Sequence, residues 1–316
     1  MDAVARDRIT LRFLAAPTDA ALGGERVQAG RVLEWIDKAG FACAAAWSGQ
    51  YCVTAYVGNV QFSRPIRVGD LVEAQARLVH TGRSSMHVLV TVASADPRDH
   101  AAPRLAMHCL LIFVAVSPEG RPVAVPEWQP RDDEDERISS GVAERILARK
   151  RIHELTSGQE FTDKGTTPRL VFRFLADPAD VNWGGNAHGG IVMRWITETA
   201  QALATRHAGA DAVCVYTGGI NFLSPVHIGD IVEIEARLIH TGPHSMHMAM
   251  HVRSAPPTAP ALRLTTQCMT VFVVVGADGK ASGVAPLVLR SDEDLRLDAH
   301  ERDLIALRRA LPPLVL

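Results

Sequence analysis

The sequence has no apolar run long enough to cross a bilayer. Its longest, such as Leu110–Val116, are strand-sized, whereas a spanning helix needs about 20 such residues. Met1–Thr10 carries charges and lacks the apolar core of a secretion signal. Charge of one sign is missing too. The 33 Lys and Arg against 35 Asp and Glu leave a net −2, which gives no general pull toward nucleic acid or an anionic surface. A local basic patch for a phosphorylated ligand stays open. Cysteine is sparse: Cys43, Cys52, Cys109, Cys214 and Cys268 are odd in number and lack CxxC spacing. That pattern excludes a disulfide framework and predicts reduced, buried thiols. A cytoplasmic protein is expected. No GxSxG elbow, P-loop or Rossmann fingerprint occurs. The 13 histidines show no ligand spacing with cysteine or carboxylate, although His247 and His251 can share a strand face. No metal is expected.

What is present is duplication. Residues 68–87 (VGDLVEAQARLVHTGRSSMH) and 228–247 (IGDIVEIEARLIHTGPHSMH) are identical at 13 of 20 positions at an offset of 160, and three more exchange Val, Leu and Ile. The match extends outward: LRFLAAP (11–17) echoes FRFLADP (172–178), QFSRPIRVGD (61–70) echoes NFLSPVHIGD (221–230), and HCLLIFVAV (108–116) echoes QCMTVFVVV (267–275). Two copies of domain size are too few for a solenoid. A length of 316 residues, 47% of them hydrophobic, suits two cores. The halves are expected to pair face to face, as a covalently linked two-fold dimer.

Each half reads in one order. A short strand opens it (Ile9–Leu14; Leu170–Leu175), then a glycine-containing loop, then a helix (Arg31 to about Trp47; Ile191 to about Arg206). Four strand-like segments follow, in the first half Cys52–Phe62, Leu71–Thr81, Ser85–Ala95 and Arg104–Ser117. The first helix is apolar nearly all round, through Val32, Leu33, Trp35, Ile36, Ala39, Phe41, Ala42 and Ala45. Such a helix belongs inside something. The fold class is α+β: tandem hotdog folds, each a long antiparallel sheet wrapped around a central helix, paired as a pseudo-dimer. Domains are expected at 8–130 and 166–290. The charged stretch 131–165 reads as a solvated helical linker, with acids before bases as the helix dipole favours. The tail 291–316 looks like a second copy of it, packed on the outside.

Chemistry concentrates at the helix starts. The second reads Asn182-Trp-Gly-Gly-Asn-Ala-His188-Gly189-Gly190. Free N–H groups at a helix N-terminus suit developing negative charge, although glycines there equally permit tight packing. In the first half Asp37 stands mid-helix in a segment read as buried. Burying an ionised carboxylate costs about several kcal/mol unless it is paired or used. Arg31 or Lys38 is a possible partner, as is exposure at a helix edge. The copies differ here. Thr197 matches Asp37, with Glu198 next to it; Ala21 or Leu22 matches Asn182; Gln28-Ala29-Gly30 matches His188-Gly189-Gly190. One half keeps the acid and the other the amide and glycine loop. One complete site and one degenerate site are expected.

The pattern N-x-x-G-x-x-H-G-G at 182–190, the acid seven residues past Gly30, and F-x-x-P-x-x-x-G-D at 62–70 and 222–230 together resemble the hotdog acyl-CoA thioesterases. The duplication, and the stretch SPEGRPVAVPEWQPRDDEDE after the first half, are similar to tandem cytosolic acyl-CoA hydrolases; the resemblance covers roughly 8–300. It implies hydrolysis of acyl-CoA to free fatty acid and CoA, with no cofactor beyond the CoA of the substrate. Asp37 would then be nucleophile or general base, Asn182 would orient water or substrate, and the Gly189 N–H would polarise the thioester carbonyl. His188 joins this set from the motif. Thr54 stands where related enzymes often place a hydroxyl; its counterpart is Cys214. Gly190 and the turn residues Arg83, Ser84 and Ser85 would touch substrate, the turn being where the family approaches CoA. Ordinary hairpin geometry explains the Thr-Gly of that turn equally well. Trimeric assembly of tandem hotdogs is carried as analogy.

Two rival readings exist. A hotdog enoyl-CoA hydratase needs an Asp and a His close together, and Asp37 has no histidine in its own helix or loop. A non-catalytic acyl-CoA-binding module has little reason to keep Asp37 and Asn182 in complementary halves.

Overall fold

The computed structural model describes residues 6–21, 23–99 and 102–310, apart from the side chains at 143, 147 and 148. The first half runs β1 (Arg8–Leu14), α1 (Ala29–Ser48), β2 (Cys52–Val57), β3 (Val60–Gln61), β4 (Leu71–Thr81), β5 (Ser85–Ala95) and β6 (Arg104–Ala115). Helix α2 (Asp133–Ser157) connects it to β7 (Arg169–Leu175), α3 (Gly189–Ala208), β8 (Ala212–Phe222), β9 (Ile231–Thr241), β10 (Met246–Ala255) and β11 (Arg263–Val274). Helix α4 (Asp292–Ala310) follows. The tail beyond it, 311–316, lies outside the described residues, as do Met1–Ala5 and Leu22.

The halves do not meet face to face. Their strands form one sheet in the order β1-β4-β5-β6-β2-β8-β11-β10-β9-β7, with β3 also paired to β8. The seam is antiparallel and short: Tyr56 pairs with Asn221 and Val57 with Ile220. Hydrogen bonds at strand edges therefore join the halves, and the apolar faces of α1 and α3 are buried together on one side of the sheet. The expected single strand Cys52–Phe62 breaks into β2 and β3. The break comes at Gly58, whose N–H bonds to Leu110 O, and β3 then leaves β6 for β8, Val60 pairing with Thr217.

Helix α1 buries Leu33, Ile36, Ala39 and Cys43 completely. A large aliphatic side chain so placed contributes about 1.5–3 kcal/mol. All five cysteines are free and buried. The helices touch each other at their first turns. A Cβ on Gly190 would lie 2.7 Å from Glu34 Cα, and one on Gly30 would lie 2.7 Å from Arg194 Cα. Only glycine lets the two backbones come this close, which puts the first turn of each helix against the second turn of its partner.

The reading of 131–165 as a solvated connector is corrected. Ile138 and Val142, an i, i+4 pair, pack on Val79 and Leu89 on the outer sheet face, and Asp135 is buried against Arg77. Many of the charges that suggested solvation, such as Asp133, Glu136, Arg137 and Glu144, are exposed, while Asp135 is buried and Arg145 and Arg149 are half-buried. Helix α4 repeats this on the second half, where Leu297 and Leu304 pack with Ile239, Ala249 and Met269. No helix among the described residues is long and apolar enough to cross a membrane.

Candidate active site

Asp37 is 2% exposed, and three donors reach it, one from β2 and two from the start of α3. On Oδ1 it accepts Thr54 Oγ1–H of β2 at 2.7 Å, and on Oδ2 the Gly190 N–H of α3 at 2.8 Å. His188 Nδ1, from the residue that caps α3, lies 3.1 Å from Oδ2. The same nitrogen also lies 3.1 Å from the Gly190 N–H. It cannot donate to Asp37 and accept from Gly190 at once. Gly190 sits closer to Asp37, and His188 is held above the usual histidine range. Burial opposes that shift, but the hydrogen bond to Asp37 and its charge outweigh burial. His188 therefore donates to Asp37.

A strand irregularity makes the Thr54 contact. Residues i and i+2 of a strand normally share a face. The β2–β6 register shifts between Thr54 and Tyr56, so Thr54 turns inward to Asp37 while Tyr56 turns outward under α2, against Arg149. The expected partners of Asp37, Arg31 and Lys38, go instead to Glu34, at 2.6 and 2.7 Å. Burial works against ionising Glu34, but these two cations hold it below the ordinary glutamate range. The paired acid of α1 is Glu34; Asp37 is the one aimed at a cavity.

That cavity is about 820 Å³ and is lined by Asp37, Thr54, Asn182, His188 and Gly189, with apolar walls from Val53, Val114, Val192 and Leu223 among others. Such a volume suits a drug-sized ligand. Gly189 closes over the carboxylate: a Cβ there would lie 3.1 Å from both Asp37 Oδ2 and Thr54 Oγ1. As the first residue of α3, it has an N–H that the helix leaves without an acceptor. Asn182 lines the same cavity, but its amide is already used in the loop. Its Oδ1 accepts the N–H groups of Gly184 at 2.8 Å and Asn186 at 3.1 Å, and its Nδ2 reaches Ala187 O at 3.4 Å. Gly190 spends its N–H on Asp37, so the expectation that it touches substrate gives way to a role in holding the acid. Arg83, Ser84 and Ser85 are not brought to the cavity. They sit at the β4–β5 turn, where the Arg83 and Ser84 carbonyls accept the N–H groups of Val125 and Ala115.

The sequence reading missed an aromatic cluster at this cavity. Trp183 is 76% exposed, yet it stacks on Phe41 with centroids 4.9 Å apart and planes at 5°. Tyr51 tilts against Phe41 at 6.1 Å, and all three line the cavity. A tryptophan between an asparagine and two glycines was the available signal.

The pseudo-symmetric position holds a smaller cavity of about 340 Å³, lined by Ala21, Gln28, Ala29, Thr197 and Cys214 among others. Ala21 is the true counterpart of Asn182: its N–H bonds to Arg26 O as that of Asn182 bonds to Asn186 O, both at 2.7 Å. Thr197 turns its hydroxyl back to Met193 O and Arg194 O, at 3.1 and 2.9 Å. Burial pushes the Cys214 thiol up to about 12. Glu198 does not line this cavity. Burial raises it above the ordinary range, against the charge of Arg194 and a hydrogen bond from Gln28. No cluster of three or more His, Cys, Asp or Glu able to hold a metal exists among the described residues.

Comparison with known proteins follows the same division. The thioesterase superfamily model matches residues 27–101 and again 184–261. The human cytosolic acyl coenzyme A thioester hydrolase is 23% identical over 88% of this chain and 77% of its own length. Protein VdlD of Helicobacter pylori is 28% identical, covering 50% of this chain and 89% of itself. An acyl-ACP thioesterase from Bacteroides thetaiotaomicron shares the fold, with a TM-score of 0.54 at 9% identity over 84% of this chain and 98% of that one. One match falls on each structural half, on either side of the β2–β8 seam, so the chain belongs to the thioesterase superfamily as a tandem of two hotdog domains.

Proposed function

We propose that this chain is an acyl-CoA thioesterase with one productive site, formed by the Asp37 helix of the first half and the Asn182–Gly190 loop of the second. The carrying observation is the set of donors fixing Asp37 beneath Gly189 at the wall of a large apolar cavity. A thioester carbonyl in that cavity meets the carboxylate on one side and the Gly189 N–H on the other. The chain hydrolyses acyl-CoA to the free acid and CoA. Asp37 acts as nucleophile or as general base for water. The Gly189 N–H stabilises the oxyanion; one such donor is typically worth about 3 kcal/mol in the transition state. Thr54 and His188 orient Asp37. Asn182 shapes the loop, and any contact with water or substrate falls to its remaining Nδ2 proton. We place the enzyme in the cytoplasm as a homo-oligomer, a trimer of tandem chains, which light scattering tests.

One observation favours a second reading. The sequence objection to a hydratase was the lack of a histidine near Asp37, and His188 stands 3.1 Å from it. A substrate panel separates the two. Free thiol released from acetyl-CoA through palmitoyl-CoA is the expected result. Loss of the double bond of crotonyl-CoA without thiol release would replace hydrolysis by hydration.

A further inference from the structure

The aromatic cluster of the catalytic cavity is not repeated in the second one. At the 160-residue offset Phe41 matches Gln201 and Tyr51 matches Asp211, and both of these line the smaller cavity. The helices that carry the two positions have equal length and the same glycine cap, so the fold stands without the rings. The rings therefore serve the first cavity's own ligand.

The cluster keeps one ring face open. Trp183 stacks on Phe41 with planes at 5°, yet among the described residues it is the most exposed large apolar side chain, at 76%. With one face covered, that exposure leaves the other face bare. The ring is also fixed at its base. Asn182 Oδ1 accepts the N–H groups of Gly184 and Asn186, and the Asn182 N–H bonds to Asn186 O, which sets the turn that carries Trp183. Gly184 lies against Tyr51, where a Cβ would come within 2.5 Å of the ring; only glycine fits there. Phe41 stands one turn after Asp37 on the same face of α1, about 6 Å along the axis, so the stack begins beside the reacting acid. A tryptophan face left in water forgoes the stabilisation of burial, and a planar ligand recovers it by offset stacking.

We infer that the bare face of Trp183 stacks a planar ring of the substrate. This rests on the thioesterase reading of the cavity. Two parts of an acyl-CoA can supply the ring: an aryl group on the acyl side, which reaches the stack directly, or the adenine of CoA, folded back over the Asn182 turn. Four substrates separate them: phenylacetyl and hexanoyl thioesters, each on CoA and on pantetheine, which lacks adenine. Trp183→Leu keeps apolar bulk and loses the ring. It should raise KM about fivefold or more for the substrates whose ring is stacked, with kcat little changed. Trp183→Phe should recover most of that loss. A rise confined to the phenylacetyl thioesters, on both carriers, assigns the face to an aryl acyl group. A rise confined to the CoA thioesters, with either acyl group, assigns it to adenine. Equal changes in all four, or in none, by a folded Trp183→Leu protein would overturn the inference. Calorimetric titration with thioether analogues of the same four reads the stack without turnover. A wild type that binds them with either pattern but releases no thiol would lose the thioesterase reading and keep the stack.

Discussion

The two cavities of this chain sit on nearly the same backbone and differ in a few side chains. Both have a 20-residue helix, a glycine where the helices touch, and a strand irregularity beside the threonine or cysteine. The first has Asp37, Thr54, His188 and Gly189. The second has Thr197, Cys214, Gln28 and Ala29. The shared scaffold shows that the fold by itself supplies close helix contact and an open helix N-terminus. What it does not supply is a carboxylate with donors on both oxygens. In the second cavity the aligned hydroxyl simply bonds back to its own helix, and the thiol in the place of Thr54 has no acid to hold.

The largest effect should come from removing the acid. Asp37→Asn is expected to lower kcat/KM for acyl-CoA by about 10²-fold or more with Tm little changed; near-normal turnover by the folded variant would end the contrast between the cavities. Next, Thr54→Ala removes a hydroxyl that donates to the carboxylate at 2.7 Å. A charge-assisted bond of this kind is worth about 1.5–3 kcal/mol, so a fall of about tenfold or more is expected, mainly in kcat. Thr54→Cys, which copies the second cavity, should behave like Thr54→Ala.

A third effect concerns pH. His188 is raised above the ordinary histidine range by Asp37 despite its burial. A group raised in the folded state adds stability that is complete below its unfolded pKa of about 6.5 and is lost as pH rises through the folded value. His188→Asn offers a favourable N-cap side chain but not the ion pair. Its Tm should lie about 2 °C or more below wild type at pH 6, with the gap shrinking toward pH 9. A pH-independent gap would mean that the imidazole acts only by packing. Smallest of all, Thr197→Ala and Glu198→Gln should each leave turnover within about twofold, since one hydroxyl bonds to its own helix and the other side chain lies off the cavity. A loss from Glu198→Gln equal to that from Asp37→Asn would make the second cavity catalytic.

Much of this was legible in the chain. The 160-residue offset located both halves, and one apolar helix per half with its strands followed from periodicity. Asp37, Thr54, His188 and Gly189 each stood out as residues of an expected type in an expected place. Their joint geometry did not, because it depends on a register shift in β2 and on which strands form the seam. Only two residue pairs join β2 to β8, too few to leave a pattern, so face-to-face pairing looked natural. The partner of Arg31 and Lys38 was within reach: Glu34 stands at helical spacing from both, whereas Lys38 directly follows Asp37 and adjacent helical residues point apart. The charges of α2 hid the buried spacing of Ile138 and Val142.

The β2–β8 seam also decides what the molecule presents to its neighbours. Two separate sheets would leave four open strands; one continuous sheet leaves β1 and β7. Both carry arginines, Arg8 and Arg12 on one, Arg169 and Arg173 on the other, and Arg12 and Arg173 are tied to glutamates of the next strand inward. Charged residues on an outermost strand discourage the addition of another chain. Fusion thus halves the number of places where one copy can be templated onto the next. It concentrates the remaining hazard on β7, where Val171 and Phe172 are exposed between the guarding arginines and Leu175 beyond them.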